Sequence, residues 1–138
     1  MARCLVSYGN RNSIFMNITK TQKLLYIAYG IYLADKGQRL FDEHPQCWPF
    51  GPVFPTTRNR LLKERLESIT DISDNAEING LIEKVFDKFG AQTAQWLSEW
   101  SHQAGSPWDK TRLRVGFKWG MQIEDQDIEL YFKQMSVA

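Results

Sequence analysis

The stretch from Ile18 to Lys36 constrains the fold of this chain more than any other. Leu25, Ala28, Tyr29 and Tyr32 line one face at helical spacing, and Leu24, Ile27, Ile31 and Ala34 line a second. A helix apolar around most of its circumference must be covered on most sides, so it predicts a central helix with other elements packed around it. Asn17 or Thr19 stands where an N-cap belongs, and Thr19 with Gln22 makes a capping-box pattern. Gly37 is placed to end the helix in a left-handed conformation. The uncharged run Leu24 to Ala34 is shorter than the ~20 apolar residues that a membrane span needs.

The remaining pattern predicts a mainly α, single-domain fold with one small β-hairpin after this first long helix. Gln38 to Phe41 and Gln46 to Trp48 read as two short extended runs around the polar turn Asp42-Glu43-His44-Pro45. Pro49-Phe50-Gly51-Pro52-Val53-Phe54-Pro55 holds three prolines, which exclude helix and central strand and predict a stiff, shaped loop. Pro55 opens a helix to about Glu67. Ile78, Leu81, Ile82, Val85, Phe86 and Phe89 follow helical spacing up to Gly90. Thr93 caps a helix through His102, Ser106 and Pro107 open a short one carrying Trp108, and a last helix runs from about Asp125 to Met135. Residues 1–16 show no clear helical stripe, and Gly9 with Asn10 suggests a turn; they read as an extension to a domain of residues 17–138. Leu24, Leu25, Ala28, Ile31, Ile82, Phe86 and Leu97 are the expected core.

Overall charge announces no class of function. Lys and Arg number 17 and Asp and Glu 16, for a formal charge of +1. No global basic excess marks a nucleic-acid binder. Local bias exists: Arg3, Arg11, Lys20 and Lys23 precede any acid, basic groups recur at Arg58, Arg60, Lys63, Arg65 and at Lys110, Arg112, Arg114, Lys118, and acids gather at Glu124, Asp125, Asp127 and Glu129. Solvated helix faces account for this pattern, as does a bipolar surface that steers a charged partner. Cys4 and Cys47 read as reduced thiols of a cytoplasmic protein, with no secretion signal and no membrane segment expected.

Catalytic and metal patterns are sparse. The sequence has no Gly-rich phosphate loop, nucleophile elbow or His-Glu zinc helix. His44, Cys47, Cys4 and His102 are the only His and Cys residues, and they lack the closely spaced ligand pairs of a structural zinc site. No catalysis, cofactor or metal is expected. The Pro49-to-Pro55 loop reads either as a connector packing Trp48 and Phe50 on the first helix or as a preformed partner-binding ridge that loses little entropy on binding. Trp96 and Trp100 read as core.

Three motifs carry a family resemblance. Lys23-Leu24-Leu25-Tyr26-Ile27-Ala28, Gly37-Gln38-Arg39-Leu40-Phe41 and Trp48-Pro49-Phe50-Gly51-Pro52-Val53-Phe54-Pro55 run in the order and spacing of the Panacea domain, found in SocA-like antitoxins and many small phage-associated proteins. Trp100-Ser101-His102, Ser106-Pro107-Trp108 and Ile123 through Phe132 resemble its later segments. The likeness covers roughly Ile18 to Lys133. Leu24, Leu25, Trp48, Gly51, Pro52, Val53 and Pro107 stand as motif residues with a structural or binding role. Family members commonly begin with a further helix, which the pattern of Cys4 to Met16 does not announce.

The resemblance implies the antitoxin of a type II toxin–antitoxin pair, neutralising a cognate protein toxin by direct contact, borne on prophages or mobile elements and linked to phage defence. Antitoxins often repress their own genes, so promoter DNA is a second expected partner. Two alternatives stand beside it: a small DNA-binding regulator using Arg58, Arg60, Lys63 and Arg65 on one helix, and an uncharacterised enzyme. Lys23, Tyr26, Phe50, Phe54 and Trp108 form the candidate toxin-binding patch, since aromatic area dominates binding hot spots. The competing expectation is that these residues hold the fold together, with the toxin bound near Asp125 and Glu129.

Overall fold

A helix that buries Lys20 through Gly30 without a break runs through the middle of the molecule. The computed structural model of the protein describes residues 1–116 and 118–137. The elements are α1 (Ala2–Arg11), α2 (Ile18–Lys36), β1 (Gln46–Trp48), β2 (Gly51–Val53), α3 (Pro55–Leu61), a 3-10 turn (Leu66–Ser68), α4 (Ala76–Phe89), α5 (Ala94–Ser101), α6 (Pro107–Arg114), β3 (Met121–Gln122) and α7 (Asp125–Val137). The chain is mainly helical, with one small antiparallel sheet in the order β2-β1-β3. α1, α3, α4, α5, α7 and β2 all pack on α2. No described helix is long and apolar enough to cross a membrane.

Local signals set the helix ends. The Asn17 side chain accepts from the Lys20 amide, and Gly37 closes α2 with φ of 68°. Asn75, Thr93 and Ser106 cap α4, α5 and α6 in the same way. Each such cap satisfies a donor that the helix start leaves open. The Lys20 ammonium caps the other end of α4, donating to the Gly90 carbonyl at 2.7 Å.

α2 and α7 approach closely because Gly30 has no side chain. A Cβ there would stand 2.2 Å from the Phe132 ring. The start of α7 is tied back to α2, since the Tyr29 hydroxyl donates to Asp125 at 2.6 Å and Arg39 donates to its other oxygen at 2.7 Å. Of the expected core, Leu24, Leu25, Ala28, Ile82, Phe86 and Leu97 are buried, while Ile31 is half-buried.

The structure corrects four expectations. Residues 2–11 form a helix, and Leu5 and Val6 are fully buried in the common core. Gly9 is a packing point on it: a Cβ would meet Met16 Cγ at 2.5 Å as the chain doubles back. Asn10 donates to the carbonyls of Leu66 and Ile69, and Arg3 pairs with Glu64 and Asp71. Residues 38–41 make no strand; Phe41 instead packs edge-on against Tyr29 and Phe54. The hairpin joins β1 to β2, with Trp48 opposite Gly51 and Pro49-Phe50 as the turn. Pro52 thus lies in a strand, on the sheet edge where a missing N–H is tolerated. Finally, α3 ends at Leu61 rather than near Glu67, and the chain turns so that Leu61 and Ile69 both enter the core.

Candidate partner-binding site

The hairpin is held to α2 by side chains that stand in for a neighbouring strand. Gln22 accepts from the Phe54 amide at 2.7 Å and returns a bond to its carbonyl at 3.3 Å. One residue on, the Lys23 ammonium donates to the Pro52 carbonyl at 3.1 Å. Both side chains are buried, Lys23 to 1% exposure. They satisfy the open edge of β2, where unpaired backbone groups would otherwise lose water without replacement. Burial pulls the Lys23 pKa down to about 8, because a charged amine away from water is disfavoured.

Gly51 is where the hairpin meets α5. Its φ is 109°, and a Cβ would lie 2.6 Å from Ser101 Oγ and 2.8 Å from Lys23 Cε. His102 lies behind it, stacked on Trp108 with ring centres 4.0 Å apart. Burial, then the nearby charges of Lys23 and Arg112, holds His102 below the ordinary histidine range. The Trp108 indole donates to the Trp48 carbonyl at 2.7 Å, locking the first strand from the far side.

The five candidate contact residues therefore divide. Lys23, Tyr26, Phe54 and Trp108 are buried, whereas Phe50 is 69% exposed at the hairpin tip. A partner meeting this surface as it stands touches Phe50 and not the other four. Among the motif residues, Leu24, Leu25, Gly51, Pro52, Val53 and Pro107 are buried and Trp48 is half-buried, with the Arg58 guanidinium 5.6 Å from its ring centre. Gln22, Ser101 and His102 complete the junction. The polar Gln22-Lys23 pair immediately before the apolar run of a central helix was the available signal for it, since buried polar groups find partners.

The other constellations are dispersed. Arg58 and Arg60 lie on α3, but Lys63 and Arg65 come after its end, so the four share no single helix face. Cys47 is buried, its thiol pointing at the Trp108 carbonyl, and burial pushes its pKa up to about 11. His44 lies 4.0 Å from Asp125. Among the described residues, no three His, Cys, Asp or Glu side chains gather as a metal site would need. Trp100 packs against the core between Phe89, Tyr131 and Phe132, while Trp96, expected in the core, is 40% exposed.

Sequence comparison assigns this arrangement to a family. The model of the SocA-like antitoxin family, Panacea domain, matches residues 21–109. The chain belongs to the SocA-like antitoxin family. Antitoxin SocA of Caulobacter vibrioides (strain NA1000 / CB15N) is 35% identical to it over 135 residues, taking in 85% of this chain and 72% of the relative. No solved structure matches the chain. The Panacea segment runs from α2 to the start of α6, so it contains the whole α2–hairpin junction. In this SocA-like chain the matched motifs are mostly interior: Lys23, Pro52 and Trp108 build the junction that presents Phe50.

Proposed function

We propose that this protein is the antitoxin of a type II pair and neutralises a cognate protein toxin by binding it directly. The observation that carries the reading is the 35% identity to Antitoxin SocA along most of the chain. A rigid hairpin tip with an exposed Phe50 supports it, since a preformed aromatic projection loses little entropy when a partner covers it. A binding role without catalysis agrees with the state of the thiol, which at a pKa of about 11 is protonated and buried near neutral pH. The protein then acts in the cytoplasm, from a prophage or other mobile element, where such a pair serves phage defence. Its toxin-binding surface includes Phe50, with Lys23, Phe54 and Trp108 in the frame beneath it, while Tyr26 packs against Phe132 of α7.

The test is genetic and biochemical together. The gene beside this one is expressed alone and with it. Growth arrest by the neighbour, relieved by this chain, with both proteins co-eluting at fixed stoichiometry, is the expected result. A neighbour that is harmless, or relief without any complex, removes the reading. Promoter DNA as a further ligand is tested by gel shift across a salt series, because phosphate contacts make affinity fall steeply with salt.

A further inference from the structure

Beside the hairpin tip lies a pocket of about 220 Å³ between α2, the β1–β2 hairpin and α3. Trp48, Phe50, Val53 and Leu62 give it apolar walls, and Lys23 and Arg58 also line it. Phe50 and Leu62 are exposed at its rim, and Arg58 is half-exposed. Lys23, being almost wholly buried, offers it little surface. No carboxylate is among the lining residues. Neither cation is neutralised within the described residues: Lys23 bonds only to the Pro52 carbonyl, and Arg58 sits over the Trp48 ring without an acidic partner. Arg58, half-exposed at the edge of a largely apolar cleft and with no acidic partner among the described residues, leaves an electrostatic demand that the chain itself does not meet.

We propose that this pocket takes an apolar side chain of the toxin with a carboxylate beside it, the carboxylate meeting Arg58 at the mouth. The proposal rests on the antitoxin reading and adds the chemistry of the partner's contact. The incoming apolar side chain packs on Trp48 and Phe50, aromatic residues of the kind that dominate interface energetics. The guanidinium of Arg58 offers a planar fork to a carboxylate, and its position on an aromatic face keeps it extended. A basic partner segment would place like charges against Arg58, so the same feature selects against it.

The first measurement uses the purified full chain and small probes. Sodium phenylacetate and neutral phenylacetamide are titrated while the Trp48 indole N–H resonance is followed by NMR. Phenylacetate should move that resonance saturably, at roughly tenfold lower concentration than the amide, and Arg58→Glu should abolish the preference. Equal titrations by the two probes, no shift with either, or an unchanged preference in Arg58→Glu would overturn the proposal. The second measurement is toxin rescue in growing cells by Phe50→Ser and Arg58→Glu, both at surface positions, with melting temperature recorded for each. Both should bind the toxin roughly tenfold or more weakly while melting like the wild type. Wild type that fails to rescue removes the antitoxin reading. Wild type that rescues while both variants rescue equally well removes only the pocket.

Discussion

The Lys23 ammonium lies 3.1 Å from the Pro52 carbonyl, so a lysine on the central helix holds the edge of the hairpin from inside the core. Its pKa of about 8 in the fold lies below the ordinary lysine value of 10.5. Between those values the unfolded chain binds more protons than the folded one, so this residue makes stability rise with pH. From pH 8 to pH 10 the gain should be about 2 kcal/mol. Burial also raises the Cys47 thiol to about 11, which lowers stability above pH 9, so the comparison is between proteins: chemical denaturation along that range should show wild type gaining about 2 kcal/mol relative to Lys23→Met. An equal slope in both proteins argues that Lys23 is not buried as a charge.

Gly51 carries the second expectation. Its φ of 109° and the 2.6 Å approach to Ser101 leave no room for a side chain. Gly51→Ala should cost about 1–3 kcal/mol. The readout is the denaturation midpoint, with the hairpin followed through Trp48. Wild-type stability in this variant would mean that the turn adjusts freely.

Gly30 lies directly against the Phe132 ring where α2 packs on α7. Gly30→Ala should destabilise by about 1–3 kcal/mol through overpacking. Adding Phe132→Leu should return part of that loss, because the smaller side chain vacates the contact. A double-mutant cycle measures the coupling, and simple additivity of the two changes would speak against direct contact.

His102 gives the acid side of the profile. Its pKa is held below 6.5 by burial and by Lys23. As pH falls below 6.5 the unfolded chain takes up the proton first, so the folded state loses stability there. Unfolding free energies at pH 7 and pH 5 should differ more in wild type than in His102→Gln. Identical differences would place the acid sensitivity elsewhere.

Much of the helical frame was legible in the chain itself. α2 with Asn17 and Gly37 at its ends, the periodic face of α4, and the caps Thr93 and Ser106 all stand where the pattern puts them. The candidate site was half legible. The motif residues were singled out, but their placement inside or outside was not, and of the five candidate contacts Phe50 is the one at the surface. Trp108, expected in the contact patch, is buried between His102 and the carbonyl of Trp48.

The sequence by itself determined the ends of α2 and α4, the starts of α5 and α6, and that α2 must be central, because capping and periodicity act over a few neighbouring residues. Only the tertiary structure decided the rest. α1 is a helix because Leu5 and Val6 enter a core built by later elements and Asn10 meets carbonyls 56 and 59 residues away. The hairpin pairs β1 with β2 because Gln22, 32 residues before Phe54, bonds its backbone and Lys23 bonds that of Pro52. Such pairings join groups far apart in the chain. A local pattern carries no record of which distant partner will satisfy a buried amide, carbonyl or ammonium.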